Sequence, residues 1–580
     1  MASTTTGGGG YASVSPALKA RRQLLNVRTA KYFAVAIAAL MGLFIIYQWT
    51  WFFYHRYGPK ERGPGTKTVV GWQRGIRRFL FRRFAGYRLD RSIVVVTYLA
   101  INIVLIFSPS LIQYHFKPLI SSFAKRFGWI AVSNLALVFF LALKNTPLAF
   151  LSATSYEKLQ PLHQIAGYWT VFAAILHGVL YTITFSQSHV LYLFKERDQY
   201  VGVIAGFALL TILVSTISVV RQRRYEVFYV VHISMIIVIL ITVGLHRPDL
   251  TTRTLVIVIF AASCWFLDRV LRSAKTTWYF YGNTATLTAL PNNATRVVLR
   301  RSIKASPGSH AFLWIPAIRA AETHPVTLVS ANPVEFVLKA HDGFTSDLLK
   351  QALEAPDARL RCSLDGPYGA TPDFKTFDKV VLVAGGSGAS FAFAVATDIV
   401  RNVPRTKKIS VDFVWVVKFT ETLTWFEKEL RQLRDDPRIN LIIHTSVSAA
   451  TSIVPSIDPA LSNSDISATS TVAPSHARSL HLLDKADISP AMSQRDPEKG
   501  ASGPWVASTS PSLYSLDIQL GRPSVPNLVR RAVNEVRVDG SVAVGVCGPA
   551  SLLHVTRDAV AECIAKDGPS VTMHSETFGW

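Results

Sequence analysis

Four of the fifteen histidines in this 580-residue chain fall deep inside long apolar stretches. His163 and His177 share one stretch; His232 and His246 share another, and each pair is separated by 14 residues. Fourteen residues make nearly four helical turns, so each pair occupies one helix face, about 21 Å apart along the axis. Two such helices side by side bring His163 level with His232, and His177 level with His246. Opposed imidazoles at each level could fill both axial positions of a haem iron, which suits electron transfer better than oxygen binding. A single intramembrane histidine is ordinarily a packed polar residue or a proton relay. Four in two matched pairs point to two b-type haems, an inner and an outer one. No Cys-x-x-Cys-His motif occurs, so covalent haem attachment is not indicated.

A second group of residues could hold nucleotides. His341-Asp342-Gly343-Phe344-Thr345 puts a permissive glycine and a capping hydroxyl where a helix would start. Free N–H groups there can hold a pyrophosphate, although the same pattern is also an ordinary N-cap. Gly385-Gly386-Ser387-Gly388-Ala389-Ser390 directly follows a buried strand, the place where glycines let a backbone approach dinucleotide phosphates. Cys547-Gly548-Pro549 ends a later strand, where α/β sheets bind ligands, though most free cysteines are simply buried. The chain stops at Glu576-Thr577-Phe578-Gly579-Trp580, whose aromatic end could pack on an edge or stack on a flavin.

The elements that must position these groups divide the chain in two. Seven stretches are long and apolar enough to cross a bilayer, at residues 32–54, 92–112, 127–151, 162–185, 199–220, 226–247 and 252–272. Beyond residue 275 the pattern becomes short strands such as Thr284–Leu290, Thr295–Arg300 and Val334–Lys339, which predict an antiparallel barrel or meander to about residue 372. Lys379–Ala384, Val411–Val417 and Asn440–Ser446 then read as parallel strands of a nucleotide-binding α/β domain. Residues 450–513, rich in Ser, Pro, Thr and Asp, read as a disordered insertion within it. The expected organisation is therefore a tail (1–31), a first helix with a basic loop (32–91), a haem-binding helical membrane domain (92–272), an antiparallel β-barrel domain (276–372) and a Rossmann-like nucleotide-binding domain (373–580).

The net charge of +24 invites a nucleic-acid reading, but its placement argues against one. Eleven Lys and Arg residues lie between Arg56 and Arg91, wedged between two apolar runs. Basic clusters beside spans follow from the positive-inside rule and from anionic lipid. With Arg221, Arg223 and Arg224 between the fifth and sixth spans, the charges predict an N-terminus outside and a cytosolic C-terminal half. Four scattered cysteines offer neither a zinc spacing nor a disulfide framework.

Taken in order, the paired histidines, His324-Pro325-Val326-Thr327, Asp365-Gly366-Pro367-Tyr368-Gly369, the glycine turn, Cys-Gly-Pro and the Glu-x-Phe-x-Trp end resemble the fungal ferric reductases, transmembrane metalloreductases related to NADPH oxidases. The resemblance runs from about residue 92 to 580, the insertion excluded. It implies that His163 and His232 ligate the inner haem, and His177 and His246 the outer. It places His324, Pro325, Val326 and Thr327 along FAD, with Gly343 and Thr345 by its pyrophosphate and Phe578 or Trp580 over its ring. Gly385, Gly386, Gly388 and Ser390 would cradle NADPH phosphates, and Cys547, Gly548 and Pro549 would lie by the nicotinamide. Val326 stands where the family usually has Phe. Lys418 stands where relatives often have Arg; it and Arg522 are the candidates for the 2′-phosphate, Lys418 as a point charge rather than a fork.

The activity so implied is NADPH-dependent reduction of Fe(III) chelates or siderophores, and of Cu(II), across the plasma membrane. A downstream iron permease or oxidase is the expected partner. A superoxide-producing NADPH oxidase shares this architecture, and a non-enzymatic membrane scaffold retaining such domains is the reading from another class.

Overall fold

A computed structural model describes residues 16–57, 75–76, 79, 83–84, 87–108, 119–152, 155–246, 252–446, 516–564 and 568–576. The insertion at 450–513 and most of the basic loop lie outside the described residues. Among those described, six helices are long and apolar enough to span a bilayer, and the shorter apolar stretch Arg91–Phe107 makes a seventh segment. They are α1 (Pro16–Tyr57), α2 (Leu89–Phe107), α3 (Leu119–Ala142), α4 (Tyr156–Gln187), α5 (Arg197–Ser215), α6 (Tyr225–Leu245) and α7 (Thr252–Phe280).

Burial and composition vary together across this bundle. The apolar window of α3 has a mean hydropathy of 1.3 and is 72% buried, whereas that of α6 has 2.5 and is 11% buried. A helix enclosed by protein can carry polar residues, while one facing lipid cannot satisfy them. α3 accordingly holds buried Ser133, Asn134 and Arg126, and packs on α1, α2, α4 and α7.

Several span boundaries differ from the sequence-based expectation: the first helix begins at Pro16 rather than 32, so part of the expected tail is helical, and the fifth ends at Ser215 rather than 220. The third span starts at Leu119 rather than 127, because Arg126 is buried with its guanidinium toward the Leu25 carbonyl (3.4 Å) instead of marking the helix end. It stops at Ala142 rather than 151: Thr146 caps a separate short helix, Pro147–Leu151, with proline in its first turn. The seventh continues to Phe280, its last two turns leaving the apolar layer to pack on the β domain.

The β domain consists of two antiparallel sheets around one core. Strands β1 (Thr284–Leu290), β2 (Ala294–Leu299), β5 (Ser330–Ala331), β6 (Val334–Lys339) and β7 (Arg359–Arg361) form a five-stranded sheet in the order β5-β6-β2-β1-β7. Strands β3 (His310–Trp314), β4 (His324–Thr327) and β8 (Ser363–Tyr368) form a three-stranded sheet in the order β8-β3-β4. Leu287, Val297, Phe336, Leu313, Val326 and Leu364 fill the space between them, as a small barrel requires. Helix α8 (Phe344–Glu354) covers one end, with Phe344 and Leu348 buried.

The last domain is a six-stranded parallel sheet in the order β12-β11-β10-β9-β13-β14, formed by β9 (Lys379–Gly385), β10 (Ser410–Val417), β11 (Ile439–Thr445), β12 (Ile518–Leu520), β13 (Ser541–Cys547) and β14 (Ser570–Glu576). The strands alternate their side chains between two cores, one with Leu382, Phe413 and Trp415, the other with Val381, Val544 and Val546. Strand order reverses between β9 and β13, the crevice where doubly wound sheets bind nucleotides. A buried triad joins the two domains: Arg296 on β2 lies 2.5 Å from both Glu335 on β6 and Glu429 of the helix Glu427–Arg434.

Candidate functional site: two histidine slots, a flavin face and a nucleotide edge

Helices α4 and α6 make little backbone contact with each other, and the four histidines bridge the gap between them. The ring centroids of His163 and His232 are 6.4 Å apart, and those of His177 and His246 are 6.0 Å apart. The pairing is the one read from the 14-residue spacing. His246 is the C-cap of α6, one residue past its last turn.

Three of the four rings are oriented by a neighbouring helix. Nδ1 of His163 lies 3.0 Å from the carbonyl of Val138, that of His177 2.8 Å from Ala124, and that of His246 2.5 Å from Asp198. A carbonyl only accepts, so Nδ1 carries the proton in each and Nε2 keeps its lone pair for a metal. Nδ1 of His232 is buried without a hydrogen-bond partner.

The same contacts identify two residues absent from the sequence reading. A Cβ on Gly128 of α3 would come within 2.7 Å of the His177 ring, and one on Gly202 of α5 within 2.6 Å of the His246 ring. Each glycine lies four residues after the accepting carbonyl, Ala124 or Asp198. The missing side chain is what lets the imidazole reach the helix backbone.

The flavin candidates lie on the three-stranded sheet. Register places Phe312 opposite Pro325 and His310 opposite Thr327, so these four share the face turned away from the barrel core. The hydroxyl of Thr327 is buried with no partner, as expected of a group waiting for a ligand. His324 and Val326 take the opposite side: Val326 packs in the core, and His324 stacks on Phe344 at 4.1 Å. Gly343, with φ +73°, is the N-cap of α8, and the Thr345 hydroxyl accepts from the His341 N–H at 2.8 Å, closing the turn. Phe578 and Trp580 lie outside the described residues.

The nucleotide candidates gather at the carboxyl edge of the parallel sheet. Ala384 and Cys547 are directly paired, which brings the glycine turn against Cys547-Gly548-Pro549. The approach is close enough that a Cβ on Gly388 would come within 2.6 Å of the Cys547 carbonyl, and one on Gly385 within 2.9 Å of Pro549. Ser390 is buried at the start of α9 (Ala389–Asn402). The Cys547 side chain is fully buried beneath Gly388, and burial, with the Glu576 charge adding, pushes its thiol well above the ordinary value. Lys418 follows β10 and Arg522 closely follows β12, both exposed at the same edge of the sheet.

The outward face of the three-stranded sheet meets the membrane helices. Arg272 of α7 bonds Asp365 at 2.7 Å, and the Tyr368 hydroxyl donates to the same carboxylate at 2.5 Å. Glu157 lies 2.9 Å from His310, and the rings of Tyr156 and Tyr368 meet edge to face at 5.5 Å. Lys275 donates to Asn145, whose own N–H groups reach Asp268 at 2.9 and 3.0 Å. Asp365 and Tyr368 belong to a motif used above only as a family signature; the structure gives them this joint. The sheet face that carries the flavin candidates thus rests on the end of the bundle nearest His163.

Comparison with known proteins agrees with this division. Residues 127–243 match the family described as "Ferric reductase like transmembrane component", 279–372 an "FAD-binding domain", and 377–561 a "Ferric reductase NAD binding domain". The chain is 27% identical over 343 residues to the Aspergillus oryzae protein named "Probable cell surface ferric reductase kap2", covering 54% of this chain and 46% of that one. It is 25% identical over 382 residues to "Ferric/cupric reductase transmembrane component 2" of Schizosaccharomyces pombe, covering 55% of this chain and 66% of that one. The Saccharomyces cerevisiae protein of the same name is 24% identical over 542 residues, covering 89% and 71%. The chain spans about half the length of the Aspergillus relative. Together, the membrane, FAD and NAD-binding matches and these relatives support a fungal-type ferric reductase for this integral membrane protein.

Proposed function

We propose that this chain is an NADPH-dependent transmembrane reductase of ferric chelates, with Cu(II) as a second acceptor. The FAD and the inner and outer haem b that it would hold would carry electrons from NADPH to metal on the far side. The observation that carries the reading is the separation of the two histidine pairs, 6.4 and 6.0 Å between ring centroids at two levels of one bundle. With metal–nitrogen bonds of about 2 Å on either side, two imidazoles that held one metal would have centroids roughly 6 Å apart.

When bound, the cofactors supply hydride acceptance, conversion of one two-electron step into two one-electron steps, and carriage through the apolar layer. The protein's part is orientation and insulation. His163 with His232, and His177 with His246, would each hold one haem through their Nε2 atoms. Pro325 and Thr327 line the flavin, and the N-terminus of α8 behind Gly343 holds its pyrophosphate. The turn Gly385–Ser390 receives the NADPH phosphates, Lys418 and Arg522 the 2′-phosphate, and Cys547 to Pro549 the nicotinamide end. The Arg272–Asp365 pair and the Tyr156–Tyr368 contact keep the flavin face against the inner slot.

The reductase half lies at the His163 end, and the basic residues between spans favour that end as cytosolic. The acceptor then meets the His177 end, at the outer face of the plasma membrane. Reduction there loosens iron from hard oxygen ligands, because Fe(II) is softer and less charged; a siderophore is a fitting substrate and an iron permease or oxidase a fitting downstream partner. Relatives whose names specify ferric or cupric reduction favour this reading over a superoxide-producing oxidase.

The test is anaerobic proteoliposomes holding haem-loaded protein, with NADPH and a ferric chelate on opposite sides. Fe(II) formation with a reduced b-type spectrum is the expected result. Haem reduction without Fe(II), followed by superoxide once air is admitted, would transfer the assignment to an oxidase.

A further inference from the structure

Lys144 lies in the turn after α3, in the joint between the membrane helices and the flavin face. Its Nζ sits 3.1 Å from the centroid of the Phe312 ring and 5.8 Å from that of Tyr156. The acidic groups nearby are already engaged. Asp365 is held by Arg272 and Tyr368, Asp268 by Asn145 and Arg269, and Glu157 by His310. Among the described residues, no carboxylate lies within ion-pair distance of Lys144.

A largely buried ammonium resting on aromatic faces is a poor end state. Desolvating a cation costs several kcal/mol, and a cation–π contact returns only about 2. Burial, reinforced by repulsion from Arg272, pushes the Lys144 ammonium down to about 6. Its place in the fold suggests what would complete it. Val138, whose carbonyl orients His163, is six residues earlier on the same segment, and Phe312 is paired with Pro325 on the flavin face.

We propose that Lys144 is the cationic half of a cofactor site in this joint, paired with a negatively charged group of a bound cofactor, foremost a carboxylate of the inner haem. The inference rests on the proposed function insofar as it requires cofactors at both sides of the joint. The reduced flavin is the second source of the same charge. Lys144 is a positioning and tuning residue in this role, since it ligates neither iron nor the reacting flavin atoms.

The test is spectroelectrochemical titration of the purified, haem- and FAD-loaded full-length protein, comparing wild type with Lys144→Met and Lys144→Arg. Removing a nearby positive charge disfavours the reduced form. In Lys144→Met one haem wave is therefore expected to move to more negative potential while the other stays, and Lys144→Arg is expected to restore it. A shift of the flavin wave instead, with both haem waves fixed, would assign the charge to the flavin and support the site with the other source. Haem and flavin waves all unmoved in Lys144→Met would overturn the proposal. If Lys144→Met fails to fold, Lys144→Gln is the second neutral variant: a haem or flavin wave moved to more negative potential supports the site, and haem and flavin waves all matching wild type overturn it. The readout needs no chelate reduction: a wild-type protein that binds no haem would fail the proposed function, whereas unmoved waves with haem bound fail this inference alone.

Discussion

His177 and Gly128 are in direct opposition: a methyl group on Gly128 would meet Nδ1 of His177 at 2.7 Å, while that nitrogen lies 2.8 Å from the Ala124 carbonyl. Gly202 stands in the same relation to His246. Gly128→Ala and Gly202→Ala should therefore displace one outer ligand each and lower haem content by up to half, read by pyridine haemochrome per mole of protein. Gly206→Ala, with nothing within 4 Å of the added carbon, is the control and should keep full haem. Unchanged haem content and spectra in both variants would remove these glycines from the site.

How much of this was legible in the sequence depends on where each signal sits. The histidine pairs were readable because ligand and partner recur on one helix at a helical period. Gly128 and Gly202 were not, because their meaning lies in a ring from a different helix. The third span was misplaced at both ends for opposite reasons. The expected start at 127 left out Arg126, which the fold buries; the apolar run to 151 hid the break that Thr146 and Pro147 do encode. Lys144 was counted inside that span, and its isolation from carboxylates is a property of three packed segments that no linear pattern records.

Loss of one outer ligand separates the two haem steps. In His177→Ala, NADPH should still reduce the inner haem, while Fe(II) production falls to the level seen without NADPH. Stopped-flow absorbance and a ferrous-specific dye measure the two arms. Normal chelate reduction in this variant would sink the assignment of His177.

The unpartnered hydroxyl of Thr327 is expected to bond FAD. Thr327→Val keeps the shape and removes the hydrogen bond, and a lost bond of this kind costs about 1–3 kcal/mol. FAD affinity should fall about tenfold, measured by flavin titration of the stripped protein, with haem content unchanged. Equal affinity would place the flavin elsewhere on the sheet.

Lys418 and Arg522 are expected to discriminate between the two nicotinamide cofactors. Each charge-assisted contact to a 2′-phosphate contributes about 1.5–3 kcal/mol. Alanine at either position should lower kcat/KM for NADPH at least about tenfold and leave that for NADH unaltered, read by steady-state cofactor oxidation. A parallel fall with both cofactors would mean a structural role.

Acid should loosen the flavin and nucleotide domains from each other through Glu335. Burial alone would raise its carboxyl, but hydrogen bonds and charge from Arg296, helped by Lys428, outweigh burial and hold it below the usual range. A carboxylate with a depressed folded-state value contributes stability above its unfolded value, and that contribution is lost as pH falls through the folded one. Melting of the full-length protein, followed by flavin fluorescence, should therefore drop as pH falls below about 4, and Glu335→Gln should flatten the slope. Arg296→Met should be more severe, destabilising by about 3–5 kcal/mol, because Glu335 and Glu429 remain buried without their shared cation. If Arg296→Met melts like wild type at neutral pH, the triad does not hold the two domains together.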